Sequence, residues 1–187
     1  MTTPGAADRR SVTVRLAGIG LLGAVVTAAL LIYGHLRTPD YYFTLFGQSG
    51  LEVYSLKSLL TTIALGMAVV QVVLALWLYR KLPLAGAPPR QVGMTHRVIG
   101  TAAFVLTLPV ALHCLIAYGV QFTSLRITIH SIAGCFFYGV FVAKVLFVQS
   151  KRLPGWTLPV AGGMLAILLG VLWYTSALWY YNGYHLP

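Results

Sequence analysis

Two histidines, His113 and His130, are the residues of this chain with the clearest capacity for chemistry, because both lie within largely apolar segments. A neutral imidazole offers one nitrogen lone pair to a metal ion and one N–H to an acceptor. Such a polar ring is costly in an apolar environment unless it binds something, and ionisable residues inside membranes are for that reason often functional. The two histidines are therefore the first candidates for a functional site.

Long apolar runs surround both histidines and fill most of the 187 residues. A helix needs about 20 apolar residues to cross roughly 30 Å of hydrocarbon. The composition agrees, since 58% of the residues are hydrophobic and 9% are charged, which leaves too little polar surface for a soluble globule. We therefore predict an all-α integral membrane protein, a bundle of five transmembrane helices that forms a single membrane domain over residues 1–187. The predicted spans are 16–35, 56–79, 97–120, 127–149 and 157–180.

The net charge of +10 follows the distribution that membrane topology requires. If the N-terminus is inside, ten of the thirteen lysines and arginines fall on the cytoplasmic side. Short cytoplasmic loops of membrane proteins carry this excess of basic residues. We therefore predict a multi-pass protein of a bacterial plasma membrane, with the N-terminus inside and the C-terminus outside. The lipid bilayer is then the expected partner of the chain, and no nucleic acid is expected.

This topology places the two histidines at similar depth. His113 lies near the outer end of the third helix and His130 near the outer start of the fourth, and only a short loop joins these helices. A short loop makes the helices antiparallel neighbours, so the imidazoles are expected to face each other. Facing histidines in a bundle are typical axial ligands of haem iron. We predict that His113 and His130 bind one haem b; structural hydrogen bonds between helices and another bound metal are the alternatives.

Four further residues are candidate cofactor contacts. Arg126 lies one turn before His130 on the same face and is placed to meet the haem propionates. Gly134, one turn beyond His130, would let a flat macrocycle approach the backbone. His96 and Lys144 lie near the inner ends of the third and fourth helices. His96 is either an inner ligand or an interfacial residue, and Lys144 either extends to the interface or holds a quinone carbonyl, a lipid phosphate or a propionate.

Several function classes are excluded by what the chain lacks. The three acidic residues, Asp8, Asp40 and Glu52, lie outside the predicted spans, so the carboxylate relay usual in proton pumps is missing. Neither Cys114 nor Cys135 lies in a C-x-x-C-H motif, which excludes covalent c-type haem attachment. The short loops contain no nucleotide-binding motif. Any oxidoreductase activity of this chain is therefore expected to need a partner protein.

The histidine motifs resemble those of the b-type cytochrome and ferric-reductase-like membrane families. The resemblance rests on H-R-x-x-G over residues 96–100, on the later His113, and on R-x-x-x-H-x-x-x-G over residues 126–134. It implies a helical bundle that carries bis-histidine haems and moves electrons. Residues 130–144 and the L-P-G-W segment at 153–156 are also similar to a family of bacterial five-helix membrane proteins.

The chain departs from its di-haem relatives in one respect. Those proteins hold four ligands in two layers, whereas this sequence provides a pair only in the outer layer. We therefore expect an electron-transfer subunit that takes electrons from a membrane quinol and passes them to an extracytoplasmic acceptor, such as a small copper or iron–sulfur protein. A second, inner haem on His96 with an unusual partner is one alternative. A haem-free membrane scaffold or small transporter subunit is the other.

Overall fold

The computed structural model describes residues 6–83, 86–150 and 153–186. Its five long helices are α1 (Ala6–Leu36), α2 (Gly50–Leu78), α3 (Arg90–His113), α4 (Leu125–Gln149) and α5 (Thr157–Trp173). Two π-helical segments extend α3 and α5, over Cys114–Tyr118 and Tyr174–Leu178, and a last short helix, α6, covers Trp179–Tyr181. The described residues form no β-strand. The prediction of an all-α architecture is confirmed.

Five helical stretches within the described part of the chain are long and apolar enough to cross a membrane. The shortest of them has 25 residues, which is about 38 Å of helix and more than the thickness of the hydrocarbon. Three helices begin well before the predicted spans, α1 at Ala6, α2 at Gly50 and α3 at Arg90. Their first turns carry polar residues that lower local hydropathy, while the backbone hydrogen bonds of the helix continue through them.

The order of the helices in space differs from their order in the chain. Helix α3 packs on α2, α2 on α5, α5 on α4, and α4 on α1. Helices α3 and α4 meet through Phe104 and Phe141, whose stacked rings have centroids 3.5 Å apart. The Tyr138 hydroxyl adds a hydrogen bond to the Thr107 carbonyl at 3.2 Å. The side-by-side packing predicted for α3 and α4 is therefore only local, and beyond this contact a cavity separates them.

A close crossing of small residues holds α1 against α4. A side chain at Gly139 would collide with the Thr27 hydroxyl and with the carbonyl oxygen of Gly23. A Cβ atom at Gly23 would in turn lie 2.9 Å from the carbonyl oxygen of Gly139. Small residues allow such close backbone approach in membranes. Gly139 is nine residues after His130, and nine residues rotate a helix by about 900°, or two and a half turns. The two residues therefore lie on opposite faces of α4, and the face of His130 is left for α5 and the cavity.

The two ends of the bundle differ in composition. The described residues of the connections that follow α2 and α4 lie at one end, called here the basic end, where Arg80, Lys81, Arg90 and Arg97 are exposed. The other end, called the aromatic end, carries the connections 37–49 and 119–124 and the C-terminal residues. Its aromatic side chains include Tyr41, Tyr42, Tyr54, Tyr118, Trp179, Tyr180 and Tyr184.

Backbone hydrogen bonds tie the connections of the aromatic end to the helices. The amide of Asp40 donates to the carbonyl of Ile116 at 3.0 Å, and the amide of Val120 donates to that of Gly34 at 2.8 Å. Gly119 has a φ of 68°, a backbone conformation that favours glycine. A Cβ atom there would lie only 2.6 Å from the carbonyl oxygen of Gly34. The connections therefore pack firmly on the helix ends around the cavity.

Candidate functional site

A cavity of about 490 Å³ lies in the half of the bundle nearest the aromatic end and is lined by side chains from all five long helices. This volume is within the range of small-molecule and cofactor sites. Toward the middle of the bundle the lining is mostly apolar and includes Leu106, Phe137, Leu169 and Leu172. Toward the aromatic end it includes Tyr54, Lys57, Tyr118, Arg126, His130 and Trp179. The cavity therefore has an apolar interior and a cationic, aromatic mouth.

His130 enters this cavity from α4 with a defined tautomer. Its Nδ1 lies 2.9 Å from the hydroxyl oxygen of Thr175, and that hydroxyl donates its own proton to the carbonyl of Val171 at 2.7 Å. Because the Thr175 hydroxyl uses its only proton on Val171, its oxygen is left to accept, and we assign the hydrogen of the His130 ring to Nδ1. Nε2 keeps its lone pair, and it has no hydrogen-bond partner in the described part of the chain. The result is a neutral imidazole, held at one nitrogen, whose other nitrogen is left for a ligand.

Thr175 also positions Arg126. The Arg126 guanidinium donates through Nη1 to the carbonyl oxygen of Thr175 at 2.8 Å and lies 3.8 Å from the centre of the Trp179 ring. Thr175 belongs to the π-helical segment of α5, and π-helical turns are frequent at functional sites. One residue of the π-helical segment thus contacts both Arg126 and His130.

Gly134 completes the set of predicted residues that come together at the cavity. It lines the cavity together with Arg126 and His130. A Cβ atom at Gly134 would meet the nearest Leu172 methyl at 3.7 Å, which is an ordinary contact. Packing within the protein therefore does not require glycine here, and the missing side chain leaves open space beside His130.

His113 does not join this group. It is only 2% exposed, its Nε2 lies 3.0 Å from the carbonyl oxygen of Phe43, and its ring packs against Phe43 and Tyr118. Its Nδ1 is buried without a partner among the described residues. The predicted pairing of His113 with His130 across one ring is not what the structure assembles. The reason is the rotation of the helix. The next residue, Cys114, lines the cavity, and each residue turns the helix by about 100°, so His113 lies on a different face.

His96 and Lys144 lie away from the cavity, toward the basic end. The backbone carbonyl of His96 accepts a hydrogen bond from Nε2 of Gln71 at 2.7 Å, and its Nδ1 is buried with no partner in the described structure. Lys144 is half-buried on α4. Neither residue lines the cavity, so an inner haem ligand or an inner quinone contact stays a prediction.

The histidines near the aromatic end also stand apart from the cavity. His35 is exposed, and its Nδ1 lies 3.4 Å from the carbonyl oxygen of Val120. His185 is exposed near the C-terminus, where its backbone carbonyl accepts a hydrogen bond from the side-chain Nδ2 of Asn182 at 3.2 Å. Both contacts belong to the connections around the helix ends.

Lys57 is a charged cavity residue that the sequence-based prediction missed. It enters from α2, with Nζ 4.4 Å from the centre of the Tyr118 ring and 5.0 Å from that of Tyr54. In the sequence, Lys57 counted only as one of the three basic residues on the outer side. A signal was nevertheless present, because Tyr54, Lys57, Ser58 and Thr61 recur at helical spacing as a polar stripe on an apolar helix.

The cavity combines cations with no acidic counterpart. As far as the structure describes the chain, no aspartate or glutamate lines it. The described residues also contain no group of three or more histidine, cysteine or acidic side chains that would hold a metal ion alone. A ligand in this cavity would therefore have to bring most of its own polar and metal-binding atoms.

Comparisons with known proteins place the chain in a family without assigning it a cofactor. No curated protein and no solved structure matches it. A protein-family match extends over residues 16–187, from the first predicted span to the end of the chain. Its description states no activity, so the resemblance to b-type cytochromes gains no support from it. Because the match covers nearly the whole five-helix bundle, the chain belongs to this family of unknown function, DUF6529.

Proposed function

We propose that the protein is a haem b electron-transfer subunit of a bacterial plasma membrane and that His130 binds the haem iron within the cavity. The observation that carries this proposal is the imidazole of His130, which is fixed at Nδ1 by Thr175 and has its Nε2 left for a ligand. A neutral histidine oriented by a hydrogen bond at its other nitrogen is the usual form of a haem or metal ligand.

The residues present fit a haem group. The macrocycle supplies four nitrogen ligands itself, so the protein needs to add only one or two. The apolar side chains toward the middle of the bundle suit the macrocycle, and Gly134 leaves space beside His130. Arg126 lies at the mouth, where an acidic substituent of the ligand would be held. When bound, haem b supplies reversible one-electron chemistry.

Each protein group has a separate task in this arrangement. His130 would hold the iron through Nε2, and Thr175 would keep the proton of the ring on Nδ1. The apolar lining excludes water and so lowers the local dielectric, which is one of the means by which a protein tunes the potential of its haem. Cys114 and Cys135 also line the cavity, but they are free thiols and have no task in this proposal.

His113 does not fit the role of second ligand in this arrangement, because its Nε2 lies at the Phe43 carbonyl and its ring lies outside the cavity lining. A bis-histidine site would require His113 to leave this carbonyl and turn toward α4. The proposal therefore names His130 as the ligand and treats the His113–His130 pair as the competing arrangement.

The distribution of charge supports an orientation of the cavity in the membrane. Basic residues concentrate at the end of the bundle opposite to the cavity, and the positive-inside rule assigns that end to the cytoplasm. The cavity would then lie in the outer half of the membrane. We propose that electrons enter from a quinol in the bilayer and leave to an extracytoplasmic redox protein, such as a copper or iron–sulfur protein.

A reduced-minus-oxidised spectrum with a haem-to-protein ratio tests the proposal. Protein purified from haem-replete cells is expected to show haem b that acidic acetone extracts. The variant His130→Ala should lose the haem, while His35→Ala, which changes an exposed histidine near the same end, should retain it. A colourless wild-type protein would favour the other candidate, a haem-free scaffold or small transporter subunit.

A further inference from the structure

Two cations line the same cavity from different helices. Lys57 enters from α2 and Arg126 from α4. Both lie within segments that are apolar enough to span a membrane. A charged side chain in such a segment is costly, and it is usually paired with an opposite charge or directed to water. The counter-charge of these two residues therefore needs an explanation.

Aromatic rings surround the two cations but do not neutralise them. Lys57 lies over Tyr118 and Tyr54, and Arg126 lies over Trp179. Cation–π contacts offset part of the desolvation cost and orient the charge, yet the charge remains. Arg126 uses Nη1 on the Thr175 carbonyl, which leaves further guanidinium donors, and the Lys57 ammonium has three donors of its own.

The acidic side chains that the structure describes are not placed to pair with them. Asp40 and Glu52 are exposed and do not line the cavity, and Asp40 accepts a hydrogen bond from the Tyr42 amide at 3.1 Å. Asp8 belongs to the start of α1, at the basic end. A ligand is therefore the natural source of negative charge at the mouth of the cavity.

The position of the cations sets the orientation of that ligand. Arg126 is in the first turn of α4, and Lys57 is about 10 Å from the start of α2. Both are nearer the aromatic end than the leucines and Phe137 that line the interior. A molecule with one anionic end and an apolar body would match this profile along its whole length.

We propose that Lys57 and Arg126 together bind the anionic head, a carboxylate or phosphate, of an amphiphile whose apolar body fills the cavity. Haem propionates and the head of a membrane lipid or fatty acid share this chemistry. The haem source rests on the proposed function, whereas the lipid source does not. The inference thus adds Lys57 to the site and defines the ligand by its charge.

Removal of the charge from the ligand tests the haem source. Full-length protein from haem-depleted cells would be titrated in detergent with haemin and with haemin dimethyl ester, which has the same macrocycle without free propionates. Charge-assisted hydrogen bonds contribute about 1.5–3 kcal/mol, so the wild type should bind haemin at least about tenfold more tightly than the ester. Lys57→Gln and Arg126→Gln should each remove most of this preference.

The matched control is Lys144→Gln, which neutralises a half-buried lysine outside the cavity and should keep the preference. Lys57→Arg, which preserves the charge, should keep it too. If Arg126→Gln fails to fold, Lys57→Gln still decides the result. Equal binding of haemin and its ester by the wild type would exclude haem propionates as the anionic head and leave the proposed haem site standing; the fatty-acid titration then decides the inference.

A second titration tests the lipid source, with the fluorescent fatty acid cis-parinaric acid and its methyl ester as probes. If the protein binds no haemin but prefers the acid about tenfold, and Lys57→Gln loses this preference, the anion site stands and the proposed haem function fails. If the wild type binds neither haemin nor cis-parinaric acid more tightly than the corresponding ester, the inference is overturned.

Discussion

The imidazole of His130 and the hydroxyl of Thr175 form a hydrogen bond of 2.9 Å between α4 and the π-helical end of α5. Thr175 donates its proton to the carbonyl of Val171, so its oxygen accepts from His130. The carbonyl of Thr175 also accepts from Arg126 at 2.8 Å. A single residue of α5 therefore fixes the tautomer of the histidine and the place of the arginine.

Thr175→Val should weaken haem binding although it preserves the shape of the side chain. The valine cannot accept from Nδ1 of His130, and loss of such an orienting partner typically costs about 10–100-fold in ligand affinity. Thr175→Ser, which keeps the hydroxyl, should restore binding to near the wild-type value. Haemin titration measures the affinity, and the ¹⁵N chemical shifts of His130 report its tautomer. A valine variant with wild-type affinity and tautomer would contradict a positioning role for Thr175.

His113→Ala should retain haem but lower stability. The substitution leaves the Phe43 carbonyl without its imidazole partner and opens a space in a site that is only 2% exposed. These effects cost about 2–3 kcal/mol together. The haem-to-protein ratio and thermal unfolding in detergent measure the two outcomes. If the folded variant lost its haem, the bis-histidine arrangement predicted from sequence would replace the single-histidine one.

The local part of the site could be predicted from sequence because it depends on one helix. Arg126, His130 and Gly134 are spaced by one helical turn, so the periodicity of an α-helix alone places them on one face. The five spans were predictable for a similar reason, since their hydropathy is a local property. The starts of α1, α2 and α3 were hidden, by polar residues in their first turns.

The nonlocal part of the site could not be predicted in this way. The direction of His113 depends on a contact with the carbonyl of Phe43, a residue from the connection between α1 and α2. The short loop between α3 and α4 limits the distance between their ends, but it does not decide which helices pack together. Lys57 reaches the cavity because α2 lies between α3 and α5, a neighbour relationship that periodicity does not contain.

Gly139→Ala should destabilise the bundle at the crossing of α1 and α4. Its Cβ atom would collide with Thr27 and with the backbone of Gly23, so the helices would have to move apart. Overpacking of this kind costs about 1–3 kcal/mol. Gly163→Ala in α5 is the control, because a Cβ atom there meets nothing within 4 Å. Thermal unfolding in the same detergent should separate the two variants, and equal stability would contradict the close crossing.

The aromatic end is expected to face the outside of the cell, as the distribution of basic residues predicts. Ser49→Cys places a thiol at this end, at an exposed position whose side chain makes no capping hydrogen bond. Ala87→Cys places one at the exposed basic end. A membrane-impermeant maleimide is added to intact cells, and the parent protein, which has only Cys114 and Cys135, gives the background labelling. Ser49→Cys should be labelled above this background and Ala87→Cys should not. The reverse pattern would invert the topology.

The exit of electrons should occur on the outer side, because the cavity lies toward the aromatic end and the positive-inside rule assigns this end to the exterior. In right-side-out vesicles, an impermeant oxidant such as ferricyanide should therefore oxidise the reduced haem rapidly. Inverted vesicles provide the control, and there the oxidation should be slow until detergent opens them. Rapid oxidation in inverted vesicles only would mean that the haem is not in this cavity or that the topology is inverted. Cysteine labelling separates these two explanations.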